Sequence, residues 1–313
     1  MTTQHDDADG APDWVQVAQR NSRSVQTTIG WIFWDPGAVR RYAQVGLPED
    51  FAGPLGYIGA RSAPLAAAGP DAVIAAFGTI SELGIRAVFD LVAGIDAASG
   101  GPDDQGDTAG GFAQLWAARD AAVLEGLAEY APDIQAPLAE LGPELWPVVR
   151  QLPMVGRTFF GAHLAMPVPD DPVLSGWHAV NCLREWRGDT HWALVVAAGL
   201  DQAEASILHN AWLGYEPDWL GLSRGTPQEL LDAGWASLED KGLAAERAVL
   251  PAGLALRQRI EDDTDRLTTL PWELLGAERS QWFAETFEPP CELLLARVDE
   301  TAGPNYQPAS RIR

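Results

Sequence analysis

Aspartate–proline pairs and single glycines punctuate this chain at the positions where helices begin and end, and between them apolar residues recur at helical spacing. Asp35-Pro36 supplies an N-cap followed by a proline at the first helical position, and Gly46 supplies a stop, which predicts a short helix through Val45. The same logic predicts helices over 52–61, 71–78 and from Ser81-Glu82 to about Ala93. Residues 94–111 are rich in Gly and Asp with almost no large apolar groups, and read as a flexible insertion. Helices resume over 112–130 and 133–150, interrupted by Pro132, Pro137 and Pro147. No strand-period alternation competes with this pattern, so the chain is expected to be mostly α-helical.

The second half carries clearer marks. PVPDDP, residues 167–172, reads as a boundary, after which a helix is expected over 172–187 with Gly188 as its stop. Asp189 then caps a helix over 191–198 that Gly199 ends, and Asp201 caps another over 202–212. Thr226-Pro227 opens a helix to Lys241, residues 243–253 suit a small hairpin, and an amphipathic helix runs from Leu254 to about Thr269. The expected organisation is an acidic tail over 1–12, a helical domain over 13–166, a second domain over 167–276 and a C-terminal extension over 277–313.

Charge narrows the function classes. The 313 residues carry 21 basic and 44 acidic side chains, a net of −23, which disfavours nucleic acid and anionic membrane surfaces as partners. Lys241 is the only lysine, so Schiff-base or phosphate-loop chemistry has one candidate. Two cysteines are too few for a disulfide framework or a cysteine-rich zinc site. The acidic N-terminus is unlike a signal peptide, and the lack of a long apolar run leaves a cytoplasmic protein as the expectation. Neither GxGxxG nor GxxxxGK[ST] is present, which sets aside dinucleotide folds and P-loop enzymes, and Ser62, the candidate nucleophile, lacks a GxSxG elbow, so a serine hydrolase is not expected.

The densest polar cluster is His178, Arg184, Glu185, Arg187, Asp189 and His191, with His209 following. Three of the five histidines thus fall within residues 178–209. A histidine oriented by a carboxylate serves as a general base near neutral pH, and neighbouring arginines clamp a carboxylate or phosphate. His178, Glu185, Asp189 and His191 are therefore the candidate catalytic residues. Arg184, Arg187 and His209 are candidate ligand-binding residues, together with Tyr57 and Arg61, which lie one helical turn apart in GYIGARSAPL and are expected to face the cluster across the domain interface. Tryptophans at 31, 34, 177, 186, 192 and 212 flank these segments and are candidates for the walls of an apolar pocket. Two bland readings stand beside this one: ion pairs locking a helical hairpin, and histidines satisfied within a core. No cofactor is expected, while a metal held by His178, His191 and His209 stays open, although their spacing matches no established ligand signature.

Helix, helix, a helix ending in Glu-Asp-Lys-Gly-Leu, a hairpin and then Leu-Pro-Ala-Gly-Leu-Ala-Leu-Arg: this order resembles MarR-type winged-helix proteins. More closely, GYIGARSAPL (56–65), WHAVNCLREWRGDTHWALVVAAGLD (177–201) and RIEDDTDRLTTLPWELLG (259–276) resemble an actinobacterial family known only as helix-turn-helix-containing. Pro251 stands where the MarR-type pattern has threonine, and Trp186 where the family often has histidine, which argues against a metal ligand at 186. The resemblance implies an N-terminal helical domain packed on a C-terminal winged helix with a small β-hairpin wing. It also implies a DNA-reading helix, yet residues 226–241 carry Glu229, Asp232, Glu239 and Asp240 against Lys241 alone, a net of −3. The first functional reading is therefore a cofactor-independent acid–base enzyme (isomerase, lyase or hydrolase type) acting on a small specialised metabolite between the two halves. The second is a ligand-responsive regulator or partner-binding module built on the winged helix. A homodimer is compatible with either.

Overall fold

The computed structural model describes residues 12–98 and 110–311. In chain order, α1 is Trp14–Gly30, α2 Pro36–Val45, α3 Ala52–Ser62, α4 Pro70–Ala76, α5 Glu82–Ala98, α6 Gly110–Tyr130, α7 Gln135–Val149 and α8 Thr158–Ala165. They are followed by α9 Pro172–Ala197, α10 Gln202–Trp212, α11 Trp219–Ser223, α12 Gln228–Asp240, strands β1 Ala244–Ala245 and β2 Ala248–Val249, α13 Pro251–Leu267, α14 Leu270–Leu275 and α15 Ala277–Thr301. The chain is mostly α-helical with one small hairpin. The tail expected over 1–12 lies, apart from Pro12, outside the described residues, as do residues 99–109 of the expected loop. No helix among the described residues is long and apolar enough to cross a membrane.

Aspartates set the helix starts. Asp13, Asp35 and Asp171 each accept hydrogen bonds from two backbone N–H groups of the first turn, satisfying donors that have no partner within the helix. Asp201 and Glu204 form a reciprocal capping box at the start of α10. The hairpin turns through Glu246 and Arg247, both in the left-handed region, as a two-residue connection between antiparallel strands requires.

Two hydrophobic cores result. The larger is built from α1–α8, the first turns of α9, α14 and α15, and contains Trp31, Trp177, Trp186, Phe283 and Phe287. The smaller lies within α10, α12, the hairpin and α13, around Leu208, Leu231, Trp235 and Leu238, and takes in Val195 from the end of α9. α9 thus runs from one core into the other. It is a single helix of 26 residues, which corrects the expected break at Gly188. Glycine inside a helix costs about 1 kcal/mol relative to alanine, less than the buried neighbours on both sides contribute by staying in register. Asp189 does not cap a new helix: its carboxylate accepts from the Phe160 N–H, 2.9 Å away.

The C-terminal extension is structural. α15 lies along α1, buries Phe287, Leu294 and Val298, and is tied by Asn21 Nδ2 donating to the Ser280 carbonyl at 3.0 Å. The internal Pro289-Pro290 pair hides this helix from a sequence reading. Both cysteines are buried and unpaired, and burial pushes the Cys291 thiol up to about 12.

α7 and α9 approach closely: a Cβ on Gly176 would stand 1.9 Å from the Leu138 carbonyl oxygen. Backbone cannot yield there without separating the two helices. Gly176→Ala is expected to lower the unfolding free energy by about 2–3 kcal/mol in urea titrations. Wild-type stability in that variant would mean that α7 and α9 pack less tightly than described.

Candidate functional site

A cavity of about 540 Å³ opens between the N-terminal helices and the segment α9–α13. That size falls within the range of small-molecule sites. α3 contributes Tyr57 and Arg61, α9 contributes Arg184, Arg187 and His191, and α10 contributes His209. α11 supplies Trp219 and the turn after it Arg224, α13 supplies Arg257 and Glu261, and the stretch after α15 closes one side with Tyr306.

Glu185 organises the first polar wall. It is 1% exposed and receives a fork from Arg61, Nε to Oε1 at 3.0 Å and Nη2 to Oε2 at 2.7 Å. Arg184 Nη1 donates to Oε1 at 2.7 Å, and its Nε donates to Gln26 Oε1. Burial pushes the Glu185 carboxyl upward, and the two guanidinium groups more than reverse this, holding it well below the usual carboxylate range. Arg61 Nη1 also donates to the Tyr57 hydroxyl at 2.9 Å. Burial raises that phenol, while Arg61 and Arg184 more than offset the rise and leave it below its ordinary value.

The second wall is a four-membered ion network. Arg187 Nη2 reaches Glu261 Oε1 at 2.5 Å and Asp265 Oδ1 at 2.8 Å, and Arg257 Nη2 reaches Glu261 Oε2 at 2.8 Å. His191 stands beside it. The Thr264 hydroxyl donates to the Ile260 carbonyl, so its oxygen accepts from His191 Nδ1 at 3.0 Å, leaving His191 Nε2 as an acceptor. Burial, together with Arg257 and Arg187, depresses His191 to about 3. His209 is likewise held neutral by burial and by Arg257 and Arg224, and its Nε2 is buried without a partner.

Of the sequence candidates, the structure brings Tyr57, Arg61, Arg184, Arg187, His191 and His209 to the cavity. Arg61 does meet the 178–191 segment, at Glu185. Glu185 stands behind its arginines, and Asp189 faces α8. His178 is not brought there: it is 1% exposed, sits between the rings of Trp116 and Trp146, and donates through Nε2 to the His163 carbonyl at 3.0 Å. Burial lowers its pKa to about 3. Among the tryptophans, Trp34 and Trp192 line the cavity, whereas Trp31, Trp177 and Trp186 are core. Trp212 lies under Arg257, with its Nε1 donating to Gln258. Among the described residues no group of three His, Cys, Asp or Glu side chains is arranged to hold a metal ion.

Sequence reading missed Arg224 and Arg257. Arg257 carries a legible signal, a glutamate four residues on. Arg224 carries the opposite one: positions three and four residues away are Leu220, Gly221, Pro227 and Gln228, none of them acidic.

The outward face of α12 is a separate candidate, for nucleic acid. Glu229, Asp232, Glu239 and Asp240 are exposed on it. The cations beside them are engaged: Lys241 Nζ binds Glu204 and the Gly199 carbonyl, and Arg247 bridges Asp218 and Asp232, each at 2.7 Å. Each cation of this helix and wing thus already has an acidic partner.

Asp189 gives a pH signature. Burial pushes its carboxyl from 3.8 up to about 7; the Phe160 N–H opposes that rise and the Glu185 carboxylate adds to it. Between those values the folded chain keeps a proton that the unfolded chain has released. The contribution to stability is therefore full below about pH 4 and is lost as pH rises through about 7. Asp189→Asn keeps an oxygen for the Phe160 N–H and removes the titration. In denaturant titrations at several pH values, the wild type is expected to lose stability relative to this variant from pH 4 to 8. A constant difference across that range would show that Asp189 does not hold the proton.

α10, α11, α12, the hairpin and α13 follow one another in the order expected of a winged helix. No curated protein and no solved structure matches the chain significantly. A family model described as a helix-turn-helix family matches residues 18–300, nearly the whole length, and the chain belongs to that family.

Proposed function

We propose that this protein is a ligand-responsive module of the regulator type, in which a winged helix serves as one side of a small-molecule cavity. The observation that carries the reading is the cavity itself, whose lining comes both from the N-terminal helices and from the helix-turn-helix segment. An occupant touching both shifts any equilibrium between their arrangements by its difference in affinity for them. Family membership supports the regulator type; the acidic face of α12, with Lys241 and Arg247 already neutralised, favours a protein partner over direct groove reading.

An acid–base catalyst in the same cavity is the second reading, and Tyr57 is the observation that favours it. Its hydroxyl oxygen accepts from Arg61, its proton is unspent, and its pKa lies below the ordinary phenol value. His191, depressed to about 3, is too weak a base to carry that chemistry near neutral pH.

The test uses 1-naphthaleneacetamide, a neutral ring compound that fits the cavity volume. Calorimetry is expected to show one saturable site, lost in Ala205→Trp, which places an indole in the cavity while leaving every ion pair intact. Binding unchanged in that variant would place the probe elsewhere and remove the support for a cavity ligand. A mobility shift against genomic fragments at low salt is expected to show no retained band. A sequence-specific band that weakens steeply with salt would overturn the exclusion of DNA.

A further inference from the structure

We infer that the occupant of this cavity is an organic acid, a carboxylate carried on an apolar body of about ring size, with Arg224 as the group that receives its charge. The inference rests on the ligand-binding reading above and names the ligand's chemistry.

Arg224 is fixed through its backbone. Its N–H donates to the Gly221 carbonyl at 3.1 Å, its own carbonyl accepts from the Ser81 N–H at 3.3 Å, and Gly225 turns the chain away with φ +77°. The side chain lines the cavity, and among the described residues its guanidinium has no hydrogen bond or ion pair. Burial lowers its pKa, and the groups whose charge reaches it are Tyr57, Arg61 and Tyr215, with no carboxylate among them.

Every other arginine on the lining has a carboxylate partner, although Arg187 Nε and Arg257 Nε and Nη1 are buried without one. Arg61 and Arg184 share Glu185, while Arg187 and Arg257 share Glu261, with Asp265 beside Arg187. Five guanidinium groups and three carboxylates leave the polar walls with two positive charges in excess, inside a chain whose net charge is −23. A cation withdrawn from bulk water without a counter-charge is costly, and a carboxylate matches the guanidinium fork through two parallel bonds. Much of the rest of the lining is broad and apolar, including Trp34, Trp192, Leu208 and Trp219, which is why the acid needs a ring-sized body. Buried atoms with no partner, Trp34 Nε1, Thr79 Oγ1 and His209 Nε2, offer bonds to a second polar group on that body.

The experiment compares 1-naphthaleneacetate with 1-naphthaleneacetamide, which has the same shape and no charge. At pH 7 and low salt, the acid is expected to bind wild-type protein about ten-fold or more tightly than the amide. Arg224→Met is expected to bring the two affinities together without changing that of the amide, and Arg224→Lys to restore part of the preference. Thermal melts of both variants establish that they are folded. Equal affinities in the wild type, or an acid preference that survives Arg224→Met, would overturn the inference and leave the cavity reading standing. Failure of both compounds to bind the wild type would overturn the two together.

Discussion

One buried carboxylate decides how the two halves of this molecule meet. Glu185 lies in the middle of α9, fully withdrawn from water, and such a charge is tolerable only with cations in contact and its lone pairs filled. Arg61 supplies the fork from α3 and Arg184 the third bond from α9 itself. Because Arg61 reaches across from another helix, the pairing fixes α3 against α9 and brings Tyr57 to the cavity in the same step. Replacing such a triad with packed apolar residues is often neutral for stability. What it supplies here is position: a defined polar wall where α3 meets α9.

The distribution of charge then follows two opposite rules. Outside, the acidic excess extends over the helix that a DNA-reading relative would turn to the groove, and the nearby cations are folded back onto it. Inside, arginines outnumber carboxylates. The proposed function uses this helix-turn-helix segment from its inner side, where α10, the turn and α13 line the cavity, rather than from its outer one. Fold and function separate at this point: the order of helices specifies a scaffold, and the side chains on each face specify what the scaffold touches.

The punctuation of the sequence carries much of this fold, because caps and stops are local. Asp35-Pro36, Asp201 with Glu204, and the hairpin are legible for that reason. Gly188 misleads because its cost is local while the force keeping α9 continuous is tertiary. His178 misleads for a geometric reason. Residues 176–183 of α9 are all buried, so no apolar stripe marks which side faces what. His178 and Glu185 share a nominal face, but seven residues separate them by about 10 Å along the axis, enough to meet different neighbours. The extra helix α15 escapes notice because two prolines stand inside it, and Arg224 because nothing within a helical turn of it suggests a site.

The place of Arg224 bears on how a bound ligand acts at a distance. It stands in the turn between α11 and α12, the connection that sets the direction of the helix-turn-helix. Its carbonyl is also joined to the Ser81 N–H, one residue before α5. A charge arriving at the guanidinium is therefore felt at a residue whose backbone already links the N-terminal helices to the turn before α12. Trp235 in the middle of α12 donates to Asp218, the left-handed N-cap of α11, so a side-chain bond ties the start of α11 to α12. A carboxylate at Arg224, as proposed, places a counter-charge at the junction of these parts. On the proposal of an acidic ligand, its charge, more than its bulk, is the component of binding placed at the turn before α12.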